Sequence, residues 1–153
     1  MPDTRLRARS ATDQLQDDHH RIWKLFKHYE DLDESDHVSK YELFREIRDE
    51  LTSHADLEEA VFYPALDQLG PEGTQDLVSE AHEEHEIVKL LVEQLSSMTP
   101  EDLYFDAKMK VLSDNVRLHV EEEERNLFSL FRRLGRDEQE RVADELRRRR
   151  EER

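Results

Sequence analysis

The sequence lacks cysteine altogether and contains only three glycines and four prolines. The absence of cysteine excludes disulfide bonds, thiolate catalysis and cysteine-ligated zinc or iron–sulfur sites. The scarcity of glycine and proline favours long helices over sheet. Apolar runs are also missing: no stretch is long enough to span a membrane, and the N-terminus has no signal-peptide core. The sequence therefore predicts a soluble, cytoplasmic protein without a membrane partner.

Charge is abundant and mostly negative. Of the 153 residues, 41% are charged and 35% are hydrophobic, and the formal net charge is −16. A body this acidic repels phosphate backbones, so nucleic acid is not an expected partner. The arginine run Arg147–Arg150 lies in a C-terminal stretch that balances arginines with acids, which predicts a solvated helix end. Disorder is the competing interpretation of so polar a chain, but the regular spacing of the apolar residues argues against it.

Apolar residues recur at helical spacing in four long segments and one shorter, highly charged segment. These segments cover approximately residues 12–32, 38–63, 74–97, 101–134 and 137–150. Pro64 marks the predicted end of the second helix. The sequence predicts an all-α fold: an antiparallel up-down-up-down four-helix bundle (residues 12–134), preceded by an N-terminal arm (1–11) and followed by a short charged C-terminal helix (135–153). An extended coiled coil is the alternative, but the breaks between segments argue against it.

Histidines occupy several of the positions where a bundle helix normally carries leucine. At least four of the eight histidines fall on predicted inward faces, and each long helix supplies at least one of them. A lone buried histidine is usually satisfied by a hydrogen bond within the core. Several together are harder to stabilise, because an unpartnered buried polar group costs about 1–3 kcal/mol. The pattern therefore points to a partner that all of them share.

Two segments repeat the spacing His-x-x-x-Glu, at His54 to Glu58 and at His119 to Glu123. Residues four apart lie on the same face of a helix, so each motif presents an imidazole beside a carboxylate. Both motifs continue the apolar stripe of their helix, which makes the pair a stronger indication than either motif alone. Together with imidazoles from the other two helices, they would form a nitrogen–oxygen cage suited to iron, manganese or zinc. Two carboxylates able to bridge ions suggest a dinuclear site.

The ordered segments DHHRIWKLF, HADLEEAVFYP, AHEEHEIVKLL and HVEEEERNLF resemble the hemerythrin-like HHE cation-binding domain family, over about residues 12–134. Ferritin-like di-iron proteins use Glu-x-x-His instead, with the opposite order and a different spacing. The resemblance implies a non-haem di-iron centre as cofactor, with two iron ions joined by an oxo or hydroxo bridge. It also implies an open position on one iron for dioxygen or hydrogen peroxide as the small ligand.

Carried onto this sequence, the family pattern implies seven metal ligands from the four helices: His19, His54, Glu58, His82, His85, His119 and Glu123. The two glutamates would bridge the ions. The assignment of His82 is the open one, because it lies three residues before His85, whereas hemerythrins place two third-helix histidines four apart. Many family members use a single histidine there. Glu59 and Glu122 adjoin the bridging glutamates and are expected to lie outside the ligand set.

Three functions remain open on the sequence. The leading one is a di-iron protein that binds or responds to dioxygen or related oxidants, as a carrier, store or sensor. The second is an enzyme that disproportionates hydrogen peroxide, which the unusual His82–His85 spacing slightly favours because a catalyst tolerates a variable ligand at that position. The third is a non-redox metal-binding or scaffold bundle whose acidic surface and arginine tail contact a protein partner. The identity of such a partner is unknown.

Overall fold

The computed structural model describes residues 9–152, and this part of the chain contains helices and turns but no strand. The α-helices are α1 (Ala11–Glu30), α2 (His37–Leu57), α3 (Tyr63–Leu69), α4 (Thr74–Ser96), α5 (Phe105–Glu122), α6 (Phe128–Phe131) and α7 (Arg136–Glu151). Two π-helical turns, Glu58–Phe62 and Glu123–Leu127, join α2 to α3 and α5 to α6, so five helical rods result. The predicted all-α bundle is confirmed. No helix in the described range is long and apolar enough to cross a membrane.

Side-chain hydrogen bonds cap the starts of α1 and α2. The side chain of Ser10 accepts a hydrogen bond from the backbone N–H of Asp13 at 3.1 Å and so caps α1. The fourth rod begins at Phe105 rather than at residue 101 as predicted, because residues 99–104 form turns. There the backbone N–H of Thr99 donates to Asp102 Oδ2 at 2.7 Å. Of the predicted N-terminal arm, residues 1–8 lie outside the described range.

The second rod does not end at Pro64, so that prediction was wrong. It continues to Leu69, because the π turn Glu58–Phe62 shifts the hydrogen-bond register and the backbone N–H of Tyr63 donates to the carbonyl of Glu58. Pro64 then lies in the first turn of α3. A proline is tolerated there, because the N–H that it lacks would have no partner within that helix. The rod is therefore a turn longer beyond the His-x-x-x-Glu motif than the sequence suggested.

Two apolar clusters form the core, one at each end of the bundle. The first includes Leu15, Leu57, Phe62 and Phe128, and the second is built from residues such as Ile22, Ile47, Phe105 and Met109. Along each of the four long rods, a buried histidine lies between residues of the two clusters. The bundle therefore has a polar layer enclosed by two apolar ones.

Helix α7 packs on the first cluster rather than standing apart from the bundle. Its residues Val142, Ala143 and Leu146 are buried in that cluster, and the side chain of Gln14 donates to the carbonyl of Ala143 at 3.1 Å. Arg149 and Arg150, from the run of four arginines, also form ion pairs with acids on other helices. The predicted balance of charges within the C-terminal stretch is incomplete, because Asp56 and Asp18 lie on α2 and α1; the side chains of Arg149 and Arg150 stay 41% and 29% exposed.

Candidate metal centre

Six of the seven predicted ligand side chains converge in the polar layer. They form two overlapping groups, His19–His54–Glu58–Glu123 and Glu58–His85–His119–Glu123, in which one ligand atom of each residue lies within 4.8 Å of the others. Each histidine belongs to one group, whereas both glutamates belong to both groups. The arrangement therefore provides two metal positions that share two carboxylates, as a dinuclear site requires.

All four histidines direct Nε2 toward the interior of the site. The Nε2 atoms of His19 and His54 are 3.1 Å apart, and those of His85 and His119 are also 3.1 Å apart. Within each His-x-x-x-Glu motif the imidazole lies beside its own carboxylate. The distances are 3.2 Å from His54 Nε2 to Glu58 Oε1 and 3.3 Å from His119 Nε2 to Glu123 Oε2.

Hydrogen bonds among the six side chains leave two buried carboxylate oxygens without a partner, and metal ions would supply one. Glu58 Oε2 and Glu123 Oε1 are buried without a hydrogen-bond partner, although buried polar atoms are nearly always partnered. The Nε2 atom of His19 lies 3.2 Å from Glu123 Oε1, an ion-pair distance. Cations between the imidazole nitrogens and the carboxylates would bind these unpartnered oxygens. Ligands of this kind, imidazole nitrogen and carboxylate oxygen, suit iron, manganese or zinc.

An acidic side chain faces the Nδ1 atom of each histidine on the outer side of the site. The pairs are His54 with Asp18 at 2.8 Å, His119 with Glu84 at 3.2 Å, His19 with Glu124 at 3.5 Å and His85 with Glu59 at 3.9 Å. For His54, His119 and His19 these contacts are hydrogen bonds, which hold the imidazole ring in orientation and make it a better ligand, whereas His85 Nδ1 has no hydrogen-bond partner. The sequence analysis missed Asp18, Glu84 and Glu124 in this role and allowed Glu59 only a position outside the ligand set.

The outer carboxylates repeat between the two halves of the chain. Asp18 and Glu84 each precede a ligand histidine of their own helix and contact the histidine of the following rod. Glu59 and Glu124 each follow a shared glutamate and face the histidine of α4 and α1, respectively. An acid directly precedes His19 and His85 but not His82. The same pair at Asp36 and His37 lies outside the site, so the pattern alone does not identify a ligand.

His82 does not join either group. Its side chain is 47% exposed, and its Nδ1 lies 3.6 Å from Glu59 Oε1. The ring packs edge-on against Tyr63, with 5.4 Å between the ring centroids. The structure thus brings six of the predicted ligands together and leaves His82 at the surface, on the outer side of Tyr63.

Tyr63 enters the site, although the sequence did not single it out. Its hydroxyl donates to Glu123 Oε2 at 2.5 Å and lies 3.2 Å from both Glu58 Oε1 and His85 Nε2. Tyr63 follows Glu58 by five residues, a spacing that places side chains on different faces of an α-helix. The π turn between them brings both to the site, and such turns are frequent at functional positions. A helical-periodicity argument therefore had no means of finding it.

The charges of the site strongly perturb its titration. Burial lowers the pKa of His54, but Glu58 and Asp18 together raise it to about 10. Burial and the two shared carboxylates hold the pKa of Tyr63 well above its usual range, so the phenol stays protonated in the metal-free protein. Burial opposes ionisation of Glu58, yet the neighbouring histidines hold its pKa well below the ordinary value. In the absence of metal, protons on the imidazoles therefore balance the carboxylates.

A cavity of about 430 Å³ reaches the site from the side of the imidazoles. All four ligand histidines line it, but neither shared glutamate does. Its aliphatic wall consists of Ile22, Leu51, Val88, Val92, Val116 and Val120. Arg48 and Lys89 also line it, beside acidic residues. A small neutral molecule can therefore approach both metal positions through largely apolar surroundings.

The fold and the site together define a helical-bundle protein with a buried histidine–carboxylate centre for two cations. The chain belongs to the Hemerythrin HHE cation binding domain family, whose pattern it matches over residues 10–131. This confirms the resemblance seen in the sequence.

Two relatives give this membership a context. A DNA nickase from Nostoc sp. (strain PCC 7120 / SAG 25.82 / UTEX 2576) is 32% identical over 136 residues; the match covers 88% of this chain but only 37% of the nickase. A Hemerythrin HHE cation binding domain-containing protein from Mycobacterium kansasii has a similar crystal structure, with a TM-score of 0.80 and 21% identity over 95% of this chain and 87% of that chain. The second comparison supports the fold alone.

Proposed function

We propose that this chain holds a carboxylate-bridged di-iron centre and that it binds or responds to dioxygen or related oxidants there. One iron would be held by His19 and His54, the other by His85 and His119, with Glu58 and Glu123 shared. The observation that carries this proposal is the overlap of the two ligand groups in both glutamates. Two separate mononuclear sites would not need shared carboxylates.

The residues present would leave room for an external ligand. When bound, a pair of ferrous ions supplies two electrons for the reduction of dioxygen or peroxide. The two histidines of each half and the shared carboxylates leave coordination positions open, and the cavity adjoins these positions from the imidazole side. Its aliphatic wall keeps bulk water away from the reacting ligand, while the outer carboxylates keep the imidazoles in place.

We assign the seventh place in the site to Tyr63 rather than to His82. The Tyr63 hydroxyl lies 3.2 Å from His85 Nε2 and 3.5 Å from His119 Nε2. It is therefore within reach of the half of the centre that these two histidines define, whereas the His82 ring lies outside it. In the metal-free protein the Tyr63 hydroxyl donates a hydrogen bond to Glu123, and binding of the phenolate to iron would release the hydroxyl proton.

Metal analysis with an optical spectrum tests the proposal directly. Protein purified after aerobic expression in iron-rich medium is expected to contain two irons per chain and to show the near-ultraviolet and visible absorption of a bridged ferric pair. Reduction and re-oxygenation should change this spectrum, reversibly for a carrier or store. A colourless protein that contains only zinc, and that takes up no iron once the zinc has been removed, would contradict the redox function. The non-redox scaffold would then be the remaining function.

A second candidate is disproportionation of hydrogen peroxide to water and oxygen. It is favoured by the cavity, which borders all four histidines and is wide enough for peroxide to enter and for oxygen to leave. An oxygen electrode distinguishes the two functions. Sustained oxygen release from added peroxide, at many turnovers per iron pair, indicates the enzyme, whereas a single stoichiometric spectral change indicates binding.

DNA nicking by the Nostoc relative is not part of this proposal. The shared region is 37% of that protein, and the net charge of −16 opposes approach of a phosphate backbone. The shared glutamates are also buried, with Glu58 at 0% exposure. Supercoiled plasmid incubated with the iron-loaded or manganese-loaded chain is expected to stay supercoiled. Nicking that is lost in Glu58→Ala would show that expectation to be wrong.

A further inference from the structure

A chain of polar contacts connects the C-terminal helix to one metal ligand. The guanidinium of Arg150 donates to both oxygens of Asp18, at 2.9 Å to Oδ1 and 2.8 Å to Oδ2. Asp18 Oδ2 in turn accepts a hydrogen bond from His54 Nδ1 at 2.8 Å. The Nε2 atom on the other side of the same imidazole faces the metal position. Three residues from α7, α1 and α2 therefore form one continuous arrangement.

The burial of Asp18 shows why the arginine matters. The side chain of Asp18 is 3% exposed, while that of Arg150 is 29% exposed. A buried carboxylate is stabilised by its ion pairs, and Arg150 contacts both oxygens of Asp18, whereas His54 contacts Oδ2 alone. Arg21 also pairs with Asp18, but from the same helix and with a side chain that is 49% exposed. The two-pronged contact from Arg150 is thus the one that holds both oxygens in a single orientation.

The corresponding position in the other half of the site lacks this arrangement. Glu84 contacts His119 Nδ1 at 3.2 Å, as Asp18 contacts His54. Within residues 9–152, however, no lysine or arginine pairs with Glu84, and the acidic Glu122 lies beside it. The C-terminal helix therefore supports one half of an otherwise repeated centre.

We propose that Arg150 is a positioning residue for His54, acting through Asp18, so that α7 sets how tightly the His19–His54 half binds its metal ion. Apolar contacts of Val142, Ala143 and Leu146 dock the helix on the bundle, and Arg150 transmits its position to the imidazole. The inference rests on the proposed dinuclear site for its metal readout. Its contact geometry, however, is present without metal and can be tested separately.

The test compares Arg150→Ala with Arg149→Ala in the full-length chain. Arg149 is the matched control, because it adjoins Arg150 and also pairs with an acid on another helix. It contacts Asp56, at 2.9 and 3.2 Å, and does not contact Asp18. Anaerobic titration of metal-free protein with Co²⁺, followed by absorption and calorimetry, gives the affinity of each equivalent. In Arg150→Ala one equivalent should bind about 10–100-fold more weakly and the other unchanged, while Arg149→Ala keeps both affinities.

A second readout uses the metal-free protein and does not depend on the proposed function. In the wild type, the Nδ1 proton of His54 is expected to give a slowly exchanging, downfield nuclear magnetic resonance signal because of its bond to Asp18. Arg150→Ala should shift or abolish this signal, whereas Arg149→Ala should retain it. The inference is overturned if the His54 signal is unchanged in Arg150→Ala. It is also overturned if Arg150→Ala and Arg149→Ala weaken the binding of both Co²⁺ equivalents to the same extent. Failure of the wild type to bind two equivalents would refute the dinuclear site instead.

Discussion

The two halves of the metal centre are built to the same plan but supported differently. Each half has two histidines, each histidine has an outer acid, and each His-x-x-x-Glu motif runs into a π turn that begins at a shared glutamate. Five residues after Glu58 comes Tyr63, whose hydroxyl reaches the His85–His119 half. Five residues after Glu123 comes Phe128, which stacks on the ring of His19 with the planes 5° apart.

The difference assigns distinct properties to the two halves. In the His19–His54 half, the ring of Phe128 stacks on His19, and His54 is held by the buried carboxylate of Asp18, which Arg150 pairs. Neither outer acid of the His85–His119 half is as buried as Asp18, and this half has an additional ionisable oxygen from Tyr63. We therefore expect the first half to retain its metal and the second to be the place where reactivity is adjusted.

The shared glutamates should matter to both halves, so their removal gives the largest effect. Glu58→Ala is expected to lose both irons and, with them, the stability that metal binding adds to the fold. Breaking its buried contacts to His54 and His85 should cost about 3 kcal/mol or more. Elemental analysis and thermal melting measure the two losses. Glu121→Ala, on the exposed face of the same layer, is the control and should keep both irons; a Glu58→Ala protein with two irons would contradict the shared site.

The pH dependence of the metal-free protein should reveal the electrostatics of the first half. The pKa of His54 is raised to about 10 in the folded protein, from an ordinary value of 6.5. Its contribution to stability is therefore complete below pH 6.5 and is lost as the pH rises through about 10. Melting temperatures of the metal-free protein should fall across this range, and less steeply in His54→Gln. Metal-loaded protein should not show this loss, because the metal replaces the proton. A flat profile in metal-free protein would contradict the charge balance described for the site.

Exchanging the aromatic residues should make the two halves alike. Tyr63→Phe is expected to keep two irons, because only one hydroxyl is lost, at about 1 kcal/mol. It should abolish any visible absorption from a phenolate bound to ferric iron. Phe128→Tyr is the reciprocal variant, which places a hydroxyl beside His19. Absorption that is unchanged in Tyr63→Phe would show that the tyrosine donates a hydrogen bond without binding iron.

His82→Ala should have the smallest effect. The side chain lies outside both groups and is 47% exposed, so both irons and their affinities are expected to stay within about twofold of the wild type. His85→Ala, three residues further along the same helix, is the matched variant and should lose the metal of its half. A comparable loss in His82→Ala would restore the ligand set that the family resemblance implied.

Helical periodicity and spacing were sufficient to place most of the bundle and its polar layer. His54 and Glu58 lie four apart on one face of a rod, as His119 and Glu123 do, and this local relation persists whatever the helix packs against. The same reasoning was wrong at Pro64, where a π turn changes the register before the proline is reached. It also left His82 open, because a position three residues from His85 can lie on the inward face or beside it.

The sequence by itself determined that the chain is a helical bundle and placed His54, Glu58, His119 and Glu123 on inward faces, because residue spacing within a helix selects the face and the two motifs repeat. Only the tertiary structure decided that Tyr63 enters the site, that His82 stays at the surface and that Arg150 reaches Asp18. The first depends on a shift of backbone register, the second on how α4 packs beside Tyr63, and the third on a contact between residues more than a hundred positions apart along the chain. No local pattern encodes such contacts, because they arise only when helices pack against one another.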